Sequence, residues 1–322
     1  MEGFDPRWTD FADYIIGITY EIWEGRQLEA LKRYYSPDVI VRTAQGITGG
    51  NDGVIASTLA TLVEFPDRTL LAEDVIWSGT PAEGLLSSHR IFSTATHSGS
   101  GVFGQASGRT VGFRAIAECH ARENVIDDEW LARDQGAICL QLGFTPEEFA
   151  RAAIERDAAD GRAAPAFTPE QDRPGPYRGR GNDNEWGERY AGILLAIMDA
   201  DIAVIGRDYD RACRLAYPDG VEGRSLGPAQ NFWMGLRSSF PSARFAVEHR
   251  IGNEDRLLGA RAAVRWSLRG THDGWGSFGA PSGADVYVLG FSHASFGPWG
   301  LREETVVFDT TAIWKQILLK KG

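Results

Sequence analysis

An α+β fold built twice in one chain is what the sequence predicts. Three observations carry this: a repeat at an offset of 175 residues, helical patterns followed by long β-rich stretches in each half, and a Pro/Gly-rich segment between them. At 322 residues the chain suits two domains of ordinary size better than one core. Its 43% hydrophobic and 24% charged residues describe a globular protein with normal interiors.

The repeat decides the organisation. A shift of 175 aligns Phe65-Pro66 with Phe240-Pro241, Arg90 with Arg265, Thr96-His97 with Thr271-His272, Glu129 with Glu304, and Asp134 with Asp309. Residues 65–141 give 20 identities without a gap, where composition alone would give roughly one match in sixteen. Upstream, Gly25-Arg26 matches Gly206-Arg207 and Pro37-Asp38 matches Pro218-Asp219, so the offset reads as 181. The period is far longer than that of a solenoid, so each copy should hold its own core. The predicted boundaries are 1–160 for copy one, 161–185 for the linker and 186–322 for copy two.

Within copy one, Phe11, Ile15, Ile18 and Ile22 form one stripe at helical spacing, so residues 8–24 and then 27–35 read as helices. A short strand (39–41) and a third helix (51–64) follow. Beyond Phe65-Pro66 the stretches 68–78, 86–97, 109–121 and 125–139 read as strands, parted by Gly, Ser and Asn. Helices followed by a meander of long strands predict helices packed on a strongly curved antiparallel sheet, whose concave face they close into an apolar pocket. Thr145, Pro146 and Glu148 should open another helix as N-cap, N1 and N3. Pro174-Gly175-Pro176 and the residues after it read as linker.

Composition also excludes function classes. No apolar run approaches the ~18 residues that span a bilayer, and the polar, acidic start lacks the pattern of a signal peptide, so the expected location is cytoplasmic. A net charge of −11 disfavours a phosphate backbone as partner, so no nucleic acid is expected. Cys119, Cys139 and Cys213 read as buried free thiols, and no spacing suits a metal, a nucleotide or a nucleophile elbow. No cofactor is expected.

At Thr96-His97-Ser98-Gly99, Ser107-Gly108-Arg109-Thr110-Val111 and the run from Ile126 through Glu129-Trp130 to Asp134, the sequence resembles the SnoaL-like polyketide cyclases of the nuclear transport factor two-like superfamily. Copy two is similar through Gly270-Thr271-His272, Gly290-Phe291-Ser292-His293 and the run from Arg302 to Asp309. The resemblance implies tandem cone-shaped α+β barrel domains and cofactor-free intramolecular aldol closure of a polyketide ester, which generalises to a hydrophobic carbonyl compound as the expected substrate. It also implies an acid/base aspartate near the end of the last strand, by position Asp134 in copy one and Asp309 in copy two. A histidine and other polar groups would face it from the neighbouring strand, where Glu118 and His120 stand.

Strand alternation puts Asp128, Trp130 and Asp134 on one face of the last strand, and Arg114, Glu118 and His120 on one face of the strand before it. If those faces are concave, Asp134 meets His120 and Glu118 across the pocket, and in copy two Asp309 meets His293. The catalytic candidates are therefore Asp134, His120, Glu118, Asp309 and His293. The substrate-binding candidates are Trp130, Asp128, His97, His272 and Arg114. Glu129 and Glu304 fall on the opposite face and read as solvated or paired. One carboxyl group can remove a C–H proton and later return it to an alkoxide when an apolar pocket raises its pKa. The enzyme reading, cyclase or isomerase, stands against a non-catalytic small-molecule binding protein and against a hydrolase or dehydratase of the same superfamily. The two sheets are expected to pack as an intramolecular pseudo-dimer through their convex faces, with a homo-oligomer as a further assembly.

Overall fold

The computed structural model describes residues 1–161 and 165–321. Residues 162–164, in the expected linker, and residue 322, the end of copy two, lie outside the described residues. Unit one runs α1 (Phe11–Thr19), α2 (Leu31–Tyr34), β1 (Tyr35–Thr43), β2 (Gly46–Gly49), α3 (Gly50–Glu64), β3 (Leu71–Thr80), β4 (Gly84–Thr96), β5 (Thr110–Arg122), β6 (Val125–Arg133), α4 (Gln135–Leu142) and α5 (Pro146–Ala159). Unit two runs α6 (Glu185–Met198), α7 (Ala203–Asp208), β7 (Tyr209–Tyr217), β8 (Val221–Arg224), α8 (Leu226–Ser239), β9 (Arg244–Asp255), β10 (Gly259–Thr271), β11 (Asp285–Gly297), β12 (Gly300–Val307) and α9 (Thr310–Lys321).

The strand orders are β2-β1-β6-β5-β4-β3 and β8-β7-β12-β11-β10-β9, the same path traced twice. That identity is the structural counterpart of the repeat. Both sheets are mixed rather than wholly antiparallel, because β1 runs parallel to β6 and β7 parallel to β12. Among the described residues neither sheet closes into a barrel. From β4 to β6 the offset of 175 holds residue for residue at the strand starts, and β1 corresponds to β7 at 174. The upstream offset of 181 is therefore corrected: Pro37 lies in β1 whereas Pro218 lies after β7, and Gly206 lies in α7 whereas Gly25 follows a π-helical turn.

Local chemistry explains the boundaries. The Asp10 side chain caps α1 by accepting from the Asp13 N–H, and the first predicted helix continues past Thr19 as a π-helical turn over Tyr20–Glu24. The second is short, a 3₁₀ turn (Leu28–Ala30) leading into α2. The stretch 125–139 is not one strand. β6 stops at Arg133 because the Asp134 carboxylate accepts from the Ala137 N–H (3.0 Å) and starts α4, which Gly143 ends at φ +99°. Thr145 and Glu148 form the expected capping box on α5. The three cysteines are buried and free.

The two sheets meet through the faces turned away from their own helices. Ile76, Leu86, Ile116, Trp130 and Ala132 of unit one form one apolar cluster with Ile251, Ala263, Leu289, Phe291 and Val307 of unit two. Charges are buried alongside it. The Arg265 Nε donates to Glu118 (2.7 Å), and Arg42 donates to Asp128 and Asp172. The guanidinium carbons of Arg42 and Arg265 lie 4.5 and 4.1 Å from the Trp130 ring centroid. The segment after α5 lines this seam: the Tyr177 N–H donates to Asp128 (3.2 Å) and its hydroxyl lies 2.7 Å from His249 Nε2. α5 itself crosses to pack on α9, with Lys315 Nζ 2.8 Å from Asp157. No helix among the described residues is long and apolar enough to cross a membrane.

Removing one partner of a buried ion pair leaves the other charge uncompensated. Glu118→Ala is expected to destabilise the protein by about 3 kcal/mol in urea unfolding. Glu118→Leu combined with Arg265→Met should recover most of that loss.

Candidate functional site

The predicted site residues do not gather in one pocket. Arg114, Glu118 and His120 of β5, with Asp128 and Trp130 of β6, share a face as alternation requires, but that face is the one packed on the other unit. Glu118 is fully buried, and although burial works to raise its carboxyl, His249 and Arg265 beside it hold it below the usual value. His120 Nδ1 sits 2.6 Å from Asp127, and its ring lies on Tyr177. Arg114 bridges Glu73 (3.0 Å) and Glu222 (3.2 Å) between the units. Trp130 and Asp128 belong to the seam already described. His293 lies 2.9 Å from the Ser88 hydroxyl of unit one, and burial, helped by Arg90, drives its pKa well below 6.5. Its ring is neutral.

Asp134 was expected to point into an apolar cavity beside Trp130, and it does not. Besides capping α4, its carboxylate accepts from the Asp219 N–H (2.9 Å) and Gly220 N–H (3.0 Å) in the β7–β8 turn, so it joins the units at the edge of a cleft between them. Burial and then the charge of Asp219 push its pKa up to about 7, against the pull of these backbone donors. His97 Nδ1 lies 3.1 Å from the Ser107 hydroxyl, while the His97 carbonyl accepts from Ser107 N and Gly108 N. His272 repeats this with Ser282 and Gly283. These two histidines shape the loops between the long strands.

The cavity lies on the opposite face of the unit-one sheet. It encloses about 480 Å³ between that sheet, α1 and α3, and its lining is mostly apolar, with Ile15, Ile18, Val54, Ile91, Phe113 and Leu131 among the walls. Along β6 the cavity takes Glu129, Leu131 and Arg133. Beside Glu129 in the sheet stand Cys119 of β5 and Val41 of β1. Glu129 is the residue that sequence reasoning placed on the wrong side. Burial pushes its carboxyl up to about 7, and the facing Tyr35 hydroxyl and Cys119 thiol only partly offset this. Its Oε2 is buried without a hydrogen-bond partner among the described residues. His89, also in the cavity wall, is driven down to about 4 by burial, so it is neutral, with Nε2 unpartnered among the described residues. A signal for Glu129 was present: by alternation it shares a face of β5 and β6 with Ala115, Ala117, Cys119 and Leu131.

Asp309 alone among the predicted catalytic residues reaches this cavity, and it does so from unit two. Gln45 Nε2 (2.8 Å) and Gln135 Nε2 (2.6 Å) of unit one donate to it, as does the Thr311 hydroxyl (2.6 Å).

In unit two the same space is filled. At the 175 offset Thr58 becomes Trp233, Ile91 becomes Trp266 and Arg133 becomes Phe308, all three buried. Gly290, where unit one has Ala115, makes room for Trp266: a Cβ there would come within 2.2 Å of the indole. Glu304, the counterpart of Glu129, accepts from the hydroxyls of Tyr190 (2.9 Å), Tyr209 (2.8 Å) and Tyr217 (2.7 Å) and from Trp233 Nε1 (3.2 Å). One carboxylate faces a cavity; its twin is sealed.

Among solved structures, the chain is similar to IdmH from Streptomyces antibioticus (22% identity, TM-score 0.36), covering 41% of this chain and 97% of that one. It is also similar to TsrD from Streptomyces laurentii (18%, TM-score 0.36, 42% and 97% covered) and to a SnoaL-like polyketide cyclase from Agrobacterium tumefaciens (19%, TM-score 0.34, 41% and 97% covered). The curated proteins offer no match. The family model described as SnoaL-like polyketide cyclase matches residues 15–142, which are α1 through α4 of unit one. Unit two repeats the strand order of unit one, so the chain is a tandem pair of α+β units of which the first matches the SnoaL-like polyketide cyclase model.

Proposed function

We propose that unit one is a cofactor-free acid/base catalyst of the cyclase or isomerase type, acting on a hydrophobic carbonyl compound, and that unit two is its scaffold. The observation that carries this is Glu129: a buried carboxyl near neutrality in the wall of an apolar cavity, with one oxygen unpartnered among the described residues. Such a group takes a C–H proton flanked by carbonyls far better than a solvated carboxylate does, because its charged form lacks hydration. The electron pair moves onto the carbonyl oxygen, where the neutral His89 ring can donate a hydrogen bond to the enolate. The enolate carbon then attacks a second carbonyl of the same molecule, and protonated Glu129 returns its proton to the new alkoxide. Atoms and charge balance with no outside reagent. Tyr35, raised well above 10 by burial and then by Glu129, stays protonated and keeps a donor beside the carboxylate.

Asp134 and Asp309 take other roles in this reading. Asp134 has three backbone donors to satisfy, and Asp309 is held by two glutamines, so neither is free to collect a substrate proton.

Proton exchange tests the reaction without knowledge of the natural substrate. In D₂O the full chain should speed the exchange of the central methylene of 1-phenylbutane-1,3-dione, followed by NMR. Glu129→Gln should reduce this by on the order of 10²-fold or more, while Asp134→Asn keeps it. The rate should rise with pH through about 7, as Glu129 ionises. Exchange unchanged in Glu129→Gln would remove the catalytic assignment.

Stability carries the same signature. Because the folded pKa of Glu129 is raised, its stabilising contribution is complete below the unfolded value near 4.5 and is lost as pH rises through about 7. Glu129→Gln is therefore expected to raise Tm relative to the parent at pH 8.5, by up to about 3 kcal/mol of stability, and to change little at pH 4.5.

Thr58→Trp should convert unit one to the filled state of unit two, its indole taking the place that Trp233 takes over Glu304. Circular dichroism should show the fold retained and the exchange assay should show activity abolished.

A further inference from the structure

The cavity holds two arginines that the acid/base reading does not use. Arg68, in the turn after α3, is buried and lines the cavity, and its Nε has no hydrogen-bond partner among the described residues. Arg133, at the end of β6, lines it too, and the carboxylate beside it is Asp309 from unit two. The two cations are near enough to oppose each other: burial and then the charges of Arg133 and Arg26 bring Arg68 down to about 9.

Burying a guanidinium without a counter-charge is expensive, and such groups are normally paired or absent. The duplicated unit makes the comparison inside one molecule. Where the space is filled with aromatic rings, Arg68 is replaced by Ala243 and Arg133 by Phe308, while the carboxylate Glu129 is retained as Glu304. The cations are present where there is a cavity and absent where buried aromatic rings stand at the matching positions. Packing alone therefore does not require them in this fold.

Position adds a length. Glu129 and Arg133 lie four residues apart on β6, which places their backbones roughly 13 Å apart along the cavity wall. An elongated ligand with its reacting carbonyls at Glu129 would carry its far end to the arginines.

Resting on the reading that the unit-one cavity is the ligand site, we infer that Arg68 and Arg133 form an anion subsite, and that the substrate is an apolar carbonyl compound bearing a free carboxylate. Paired guanidiniums suit a carboxylate because each can give two parallel N–H donors to its oxygens. The anionic end would also fix the substrate's direction, keeping its carboxylate away from Glu129, which must ionise to act.

The test uses matched probes on the full chain: decanoic acid and 2-naphthoic acid against their methyl esters, by isothermal titration calorimetry at pH 6.0. There the acids are ionised and Glu129 is largely protonated. The acids should bind at least about tenfold more tightly than the esters, as charge-assisted hydrogen bonds predict. Arg68→Met and Arg133→Gln should each abolish most of that preference and leave ester affinity within about twofold. Arg68→Met should also raise the Tm of the ligand-free protein, since it removes an unpaired buried charge. Glu129→Gln should keep the acid preference, which separates this subsite from the catalytic assignment. Exchange activity present with no acid preference overturns the subsite alone; acid preference with no exchange leaves the subsite and overturns the catalytic reading. Equal binding of acid and ester, binding of neither, or a lower ligand-free Tm with acid binding intact in Arg68→Met overturns the inference.

Discussion

Each sheet in this protein is buried on both faces, and most other features follow from that constraint. One face of the unit-one sheet closes over a cavity under α1 and α3, and the other packs on the sheet of unit two. The seam between the sheets is not a plain apolar contact. It holds Glu118 against Arg265 and Asp128 against Arg42, with both guanidiniums over the Trp130 ring. Ion pairs at such depth add little net stability against an apolar alternative, but they make any other register leave a charge unpaired. Residues that look like chemistry in the sequence are thereby used for assembly.

The duplication has let one carboxylate meet two fates. Glu129 and Glu304 sit at matching positions, but Trp233, Trp266 and Phe308 fill the space in unit two that Thr58, Ile91 and Arg133 leave open in unit one. Four donors around Glu304 satisfy its oxygens, whereas Glu129 keeps one oxygen unpartnered among the described residues. The aromatic filling gives unit two a dense core in the space that is a cavity in unit one. Dependence between the units runs in both directions: Asp134 of unit one holds the β7–β8 turn, while Asp309 of unit two reaches the unit-one cavity. α5, packed on α9, ties the halves further.

The sequence by itself determined the duplication, the α+β order, the capping box at Thr145 and the pairing of residues on each strand face, because local spacing and side-chain chemistry encode all of these. It misplaced the end of the last strand. Asp134, read there as a strand residue, serves as a helix cap, a role that depends on which N–H groups lie ahead of it. Asp134, His120, Glu118 and His293 were grouped correctly by face and assigned to the wrong one. Alternation says which side chains share a face and is silent on which face is concave. An exposed face would have been marked by a polar row, but in this sheet both rows face an interior, so Glu118 and Glu129 look alike along the chain. Only the tertiary structure decided between them, by bringing Arg265 to one carboxylate and an apolar cavity to the other.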